Sequence, residues 1–213
     1  CCELCICVRK NQYIRANFYG KRRTKMSDIA AKSKASSFRV SQIAMIGVVT
    51  AVTCVLGPLA LPIGPVPISL TNLVIYFSLY VLGMKNATIS YLVYLLLGLF
   101  LPVFSGGAGG PGKLFGPTGG YLFGFIPMAI LSGIVIDRYM DQRVRCFLAL
   151  VVGTAICYGF GTAWLAYQAH MTFAAALAAG VIPFIIGDLI KIVLAVVIGP
   201  QIRKRLAKAG VYA

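Results

Sequence analysis

An acid and a base stand together inside a long apolar run. In Pro183-Phe184-Ile185-Ile186-Gly187-Asp188-Leu189-Ile190-Lys191 they interrupt a stretch that otherwise reads as membrane-spanning helix, and between Cys146 and Pro200 they are the only charged residues. Each costs about 2.5–3.5 kcal/mol near a bilayer centre on insertion scales, so neither is expected to face lipid. Spaced three apart on a helix, they project from one face, where they pair with each other or jointly grip one ligand. Two readings are open: a ligand or ion site inside a helix bundle, and a buried ion pair that only fixes packing.

Composition narrows the class. Of the 213 residues, 59% are hydrophobic and 12% charged, against about 25% charged in an average soluble domain; with a mean hydropathy of +0.87 the expectation is an all-α polytopic membrane protein. A net charge of +15 invites a nucleic-acid reading, but that requires basic residues gathered on a solvated face. Here they lie between apolar spans, as the positive-inside rule arranges them, so no nucleic-acid partner is expected. Cys1, Cys2, Cys5 and Cys7 crowd the start while Cys54, Cys146 and Cys157 sit in or beside apolar spans, which does not resemble a secreted disulfide framework. Cys2-Glu3-Leu4-Cys5 lacks a second ligand pair at zinc-site spacing, so no metal is expected.

Residues 1–39 form a basic arm with ten Lys or Arg against Glu3 and Asp28. It offers neither the apolar core nor the cleavage site of a secretory signal before Val40. Met26-Ser27-Asp28 reads as a natural beginning, so residues 1–25 are expected to be an upstream extension or a cloning remnant. Judged against the roughly 17–25 residues needed to cross a bilayer, six spans follow, about Val40–Leu61, Pro67–Gly83, Ala87–Phe104, Pro117–Ile136, Cys146–Gln168 and Met171–Pro200. In the last, Gly180 and Pro183 are places to bend or divide it. In the first, Gly47 and Ala51 make a small-xxx-small pair that suits either an internal packing seam or a docking face for a partner. Six spans put both termini on one side. With that side cytoplasmic, 18 of the 20 basic residues fall inside, leaving Lys113 in an outer loop and Lys191 in the membrane. The domain reading is an arm over 1–39, a transmembrane domain over 40–200 and a basic cytoplasmic tail over 201–213.

Several signals are set aside. Gly107-Ala108-Gly109-Gly110-Pro111-Gly112-Lys113 fits the first seven positions of a phosphate-binding loop, yet Leu114 follows where Ser or Thr must hold magnesium, and no strand precedes it. The glycine run reads instead as a mobile lid or a compact loop close to a ligand. His170 is the only histidine and makes no metal site alone. No nucleophile and base pair is visible, so no enzyme is expected, with no catalytic residues and no cofactor. Trp164 and Tyr167 read as interfacial belt aromatics or pocket lining, and Tyr76, Tyr80, Tyr91 and Tyr94 as packing residues.

Leu114-Phe115-Gly116-Pro117-Thr118-Gly119-Gly120-Tyr121-Leu122-Phe123-Gly124-Phe125 joins the outer loop to the fourth span. A Pro at a helix start followed by a Gly pair clears room beside the backbone, and the free N–H groups of a first turn suit an anionic or carbonyl oxygen. A close helix crossing also accounts for the glycines, but not for the Pro-Thr-Gly-Gly-Tyr order. Taken with Gly64-Pro65-Val66-Pro67, with Gly161-Thr162-Ala163-Trp164-Leu165 and with Pro183 through Lys191, this segment resembles the BioY family, the biotin-specific substrate-binding subunits of energy-coupling factor transporters. The resemblance covers about residues 40–200. It departs in the second span, where Asn72 stands near a position often held by glutamine.

The resemblance implies a six-helix bundle in the cytoplasmic membrane that binds biotin near its outer end. It also implies docking, through the face bearing Gly47 and Ala51, on a transmembrane coupling subunit driven by two separate ATPases. Biotin is a fused apolar ring pair with a urea edge and a carboxylate tail, which calls for an apolar pocket with few polar groups. Asp188 suits the urea N–H groups; Lys191 suits either the urea carbonyl or the carboxylate. Thr118, Gly119, Gly120 and Tyr121 are expected to complete the grip, with Asn72 contributing. The alternatives are the same bundle serving another vitamin, and an ion-coupled carrier with Asp188 as its relay; the second lacks the visible inverted repeat that many carriers show.

Overall fold

The computed structural model describes residues 40–61 and 68–210; the arm, the Gly64–Pro67 motif and the last three residues lie outside them. The chain divides at Ser41, and the second unit, Gln42–Ala213, holds nearly all that is described. Among the described residues it is helical apart from one antiparallel pair of two-residue strands and the connecting loops. The order is α1 (Val40–Leu56), β1 (Ala60–Leu61), β2 (Ile68–Ser69), α2 (Thr71–Gly98), α3 (Pro111–Leu114), α4 (Gly119–Tyr139), α5 (Arg143–Gln168), α6 (Phe173–Gly180) and α7 (Ile182–Lys208). Four of these, α2, α4, α5 and α7, are long and apolar enough to cross a membrane.

The second and third expected spans appear as one element, α2, broken at Gly83. This residue has φ 74° and ψ 170°, a conformation reserved almost entirely for glycine. The break is capped from outside, because Asp137 at the end of α4 accepts the Met84 N–H at 2.8 Å while its other oxygen pairs with Arg203 of α7 at 3.2 Å. Side-chain partners show that α2 doubles back there. Its first half runs from Asn72, beside Lys191 and Asp188, past Tyr76, which bonds Thr154 of α5 at 2.8 Å. Its second half climbs from Asp137 to Tyr91, whose hydroxyl reaches the Leu122 carbonyl near the start of α4 at 2.8 Å.

The last expected span is divided as Gly180 and Pro183 suggest. α6 starts at Thr172, whose Oγ1 accepts the Ala175 N–H, and ends at Gly180; α7 then begins with Pro183 in its first turn, where the missing N–H costs nothing. α7 continues past Pro200, extending the helix to Lys208. Ion pairs Arg203–Asp137 and Lys204–Asp141, at 3.2 and 3.0 Å, hold this extension against α4 and its following turn.

The core is rich in tyrosine. Tyr76, Tyr80 and Tyr94 are fully buried among Leu79, Phe104, Met128, Ile136 and Leu150. A buried phenol usually finds a hydrogen-bond partner, and Tyr94 finds the Val103 carbonyl at 3.0 Å. Conversely, Leu96, Phe100, Leu148, Val152, Ile186 and Ile190 are exposed. Apolar surface on this scale is foreign to a chain surrounded by water and suits one surrounded by lipid.

The glycine-rich run is a compact loop. Phe104 and Ala108 bridge across it, the Gly106 N–H bonds the Pro58 carbonyl, and the Gly110 N–H bonds the Gly98 carbonyl at 2.8 Å. His170 adopts the left-handed conformation at φ 51° and ends α5, with Met171 N–H reaching back to the Ala166 carbonyl, the 6→1 bond of a Schellman cap.

Candidate functional site

α7 presents Phe184, Asp188 and Lys191 on one face, and α4 presents Thr118, Tyr121, Leu122 and Phe125 on another, both at the i, i+3/i+4, i+7 spacing of a helical stripe. These stripes wall a cavity of about 570 Å³, measured to its open mouth and completed by Ser69, Asn72, Ser105, Tyr158 and Gly180. Its make-up is the usual one of small-molecule sites, apolar walls with few convergent polar groups.

The polar groups form one network. Asp188 Oδ1 accepts from Asn72 Nδ2 at 2.6 Å and from Lys191 Nζ at 3.0 Å, and Oδ2 accepts from the Tyr158 hydroxyl at 2.5 Å. Lys191 Nζ also donates to the Ser69 carbonyl at 2.9 Å and to Asn72 Oδ1 at 3.0 Å. An ammonium has three donors, so all three are engaged. Asn72 is oriented by this arrangement, since its oxygen meets the cation and its nitrogen meets the anion. With Asp188 and Lys191 side chains only 10% and 11% exposed, the burial of two opposite charges is compensated within the protein. The pair therefore persists without a guest. A ligand acceptor reaches Lys191 only by displacing one of its partners, whereas a ligand donor finds lone pairs still available on Asp188.

Of the residues expected at the site, Asp188, Lys191, Asn72, Thr118 and Tyr121 line this cavity. Gly119 and Gly120 lie beside it, in the crossing of α4 with its neighbours. A Cβ on Gly120 would fall 2.2 Å from Trp164 Cβ, and one on Gly119 1.9 Å from the Leu114 carbonyl oxygen, so both glycines permit close packing. Tyr121 is held in turn by the backbones of α5 and α6: its ring fills the space a Gly161 side chain would need, and its hydroxyl donates to the Gly180 carbonyl at 3.2 Å. Trp164 serves the same corner, donating Nε1–H to the Gly116 carbonyl at 2.9 Å, and Gln168 bonds the Phe115 carbonyl. Among the described residues there is no cluster of His, Cys, Asp and Glu able to hold a metal.

Tyr158, Ser69, Ser105, Leu122, Phe125, Gly180 and Phe184 also line the cavity and were not expected there from the sequence. Tyr158 carried a usable signal: with Thr154, Gly161 and Thr162 it forms a stripe of small and polar residues along an otherwise apolar helix. Away from the cavity, Gly47 and Ala51 are exposed on α1, with no atom within 4 Å of the position a Gly47 side chain would take. The adjoining face of α1 packs inward through Thr50, which bonds Ser90 at 2.9 Å. The small-residue pair is thus no internal seam among the described residues.

Known proteins share both sequence and architecture with this chain. A family model described as the BioY family matches residues 27–208. A protein named biotin transporter BioY2 from Lactococcus lactis is 33% identical over 175 residues, covering 82% of this chain and 96% of its own length. One named biotin transporter BioY from Thermotoga maritima is 38% identical over 165 residues, covering 76% and 96%. A crystal structure of the S-component for biotin from an ECF-type ABC transporter superposes with a TM-score of 0.72 at 32% identity, covering 78% of this chain and 92% of that one. Matched by that family model over most of its length and by relatives of more than 30% identity, this multi-pass membrane chain belongs to the BioY family.

Proposed function

We propose that the chain is the biotin-binding subunit of a vitamin uptake transporter, carrying biotin across the cytoplasmic membrane in concert with a separate ATP-driven coupling module. The observation that carries this reading is the Asp188–Lys191 pair, fixed by Asn72 and Tyr158 in the wall of an otherwise apolar cavity. Such a cavity suits a fused apolar bicycle with one polar edge. The ureido N–H groups donate to the lone pairs left on Asp188, while Tyr121, Leu122, Phe125 and Phe184 cover the rings. The ureido oxygen takes a Lys191 proton released from the Ser69 carbonyl, and Thr118 at the head of α4 adds a hydroxyl. Gly119 and Gly120 act indirectly, by letting Trp164 fix the turn that carries Thr118 and Tyr121. The chain performs no catalysis of its own.

The transport reading uses six passes, with α1, the two halves of α2, α4, α5 and α7 as spans and α6 as a lead-in segment. Reversal at Gly83 supports it, as does the ion-paired end where α2 turns, α4 and α7 finish and α5 begins. That end carries Lys85, Arg138, Arg143, Arg145, Arg203, Lys204, Arg205 and Lys208 and is cytoplasmic by the positive-inside rule. The exposed Gly47–Ala51 face of α1 docks on the transmembrane coupling subunit, which two ATPases drive. Equilibrium binding of labelled biotin to the purified chain tests the substrate: saturable binding displaced by unlabelled biotin, and not by thiamine or riboflavin, is expected. Equal displacement by another vitamin would reassign the cavity.

A further inference from the structure

A second recess lies far from the cavity, on the outer surface between α4 and α5. It is an open groove of about 800 Å³ lined by Leu131, Val135, Tyr139, Arg145, Leu148, Ala149 and Val152. Its apolar floor runs about two helical turns, roughly 12 Å at 1.5 Å per residue, and ends at Tyr139 and Arg145 beside the α4–α5 turn. There the guanidinium of Arg145 sits 4.6 Å from the centre of the Tyr139 ring and that of Arg138 sits 5.8 Å from it. Two cations are thus gathered on one ring. The acids that could neutralise them are engaged elsewhere: Asp137 holds Arg203 and the Met84 N–H, and Asp141 holds Lys204. Among the described residues neither Arg138 nor Arg145 has an ion pair.

We propose that this groove binds an anionic phospholipid, with an acyl chain along Leu131, Val135, Leu148 and Val152 and the phosphate held by Arg145 and Arg138 at the Tyr139 ring. The positive-inside rule explains why arginines occupy this end of the bundle. It does not explain why Arg145 folds over Tyr139 at the head of an apolar groove. A phosphate there supplies the missing anion, arginine binds it in bidentate fashion, and a basic pocket between helices at the cytoplasmic interface is where anionic head groups are recognised. The inference needs only that α4 and α5 span a bilayer and is independent of which vitamin the cavity takes.

Native mass spectrometry of the full chain tests it, after incubation with dioleoyl phosphatidylglycerol or with dioleoyl phosphatidylcholine, which share the same acyl chains. Phosphatidylglycerol should be retained in excess, and Arg145→Gln should lower its retention about five-fold, the factor that one basic residue supplies against an anionic head group, leaving phosphatidylcholine unchanged. Val152→Trp, which fills the groove without altering charge, should lower retention of both lipids. Monodisperse elution and an unchanged helical circular dichroism spectrum certify each variant; if Arg145→Gln does not fold, Val152→Trp carries the test alone. Equal retention of the two lipids by the wild-type chain, or full retention by a folded variant, overturns the proposal. Displacement of phosphatidylglycerol by millimolar inorganic phosphate also overturns it, because the site would then hold a free anion and no lipid.

Discussion

Tyr158 on α5 donates its hydroxyl to Asp188 Oδ2 on α7 at 2.5 Å, the carboxylate oxygen opposite the one that takes Asn72 and Lys191. Thirty residues separate them in the chain, and the bond sets the rotation of the carboxylate at the cavity wall. Tyr158→Phe keeps the ring and removes this donor. A hydrogen bond to a charged group is worth about 1.5–3 kcal/mol, so biotin affinity should fall by roughly ten-fold or more if the carboxylate must be held for the ureido group. Titration calorimetry on the purified variant measures this; wild-type affinity would remove Tyr158 from the ligand's environment.

Because Asp188 and Lys191 satisfy each other, their separate and joint removal should differ. Asp188→Ala leaves Lys191 as a buried cation with its main partner gone, a change expected to cost about 3–5 kcal/mol of stability. Asp188→Ala with Lys191→Met removes both charges and should recover much of that loss without restoring biotin binding. Thermal unfolding in detergent, read beside biotin affinity for both single variants and the double one, separates stability from recognition. A double variant no more stable than Asp188→Ala would show that the pair is not the stabilising unit.

Those two charges were legible in the sequence because an acid and a base in an apolar run admit few explanations. Thr118 and Tyr121 were legible through the unusual order of the segment around them, and Asn72 as a polar residue near a helix start. Phe184, Leu122 and Phe125 were not, since an apolar side chain on a transmembrane helix looks the same whether it faces lipid, core or cavity. Tyr158 was hidden among eleven tyrosines, of which Tyr76, Tyr80, Tyr91, Tyr94 and Tyr121 are buried. The four long apolar helices were visible in hydropathy, and the boundary read at Gly83 is where α2 breaks. The geometry of that break was not legible, because it needs only one residue to leave helical geometry and the cap that makes this tolerable comes from Asp137, fifty-four positions away.

That reversal is itself testable. At φ 74° and ψ 170° a side chain costs about 1–3 kcal/mol, and a Cβ on Gly83 would also lie 3.1 Å from Asp137 Oδ1. Gly83→Ala should therefore lower the unfolding temperature measurably. Asp137→Asn, which weakens both the Met84 cap and the Arg203 pair, should act in the same direction, and because the two changes share one contact their effects should be less than additive. Additive shifts in Tm would separate the kink from the ion pair.

Gly120 distinguishes packing from ligand binding. Gly120→Ala keeps the backbone N–H but sets a methyl 2.2 Å from Trp164 Cβ and 2.7 Å from Cγ, atoms that move only if α5 moves. Overpacking of this kind costs about 1–3 kcal/mol and loosens the Trp164–Gly116 bond that positions the start of α4. Both thermal stability and biotin affinity should fall. Wild-type stability with lost affinity would instead make the glycine a direct partner of the ligand.

The face of α1 bearing Gly47 and Ala51 should be dispensable for binding and necessary for transport. Both residues are exposed, and the inward face of the same helix is secured by Thr50 on Ser90, so Gly47→Leu with Ala51→Leu adds bulk only on the outside and improves helix propensity at position 47. The purified variant should bind biotin as the wild type does. Small residues let two helices approach closely, and on the proposed docking leucines in their place should hold the coupling subunit away. Uptake of labelled biotin by cells expressing the complete transporter should then fall to the level seen without the coupling module, and the variant should no longer copurify with it. Wild-type uptake by the double variant would move the docking surface to another face of the bundle.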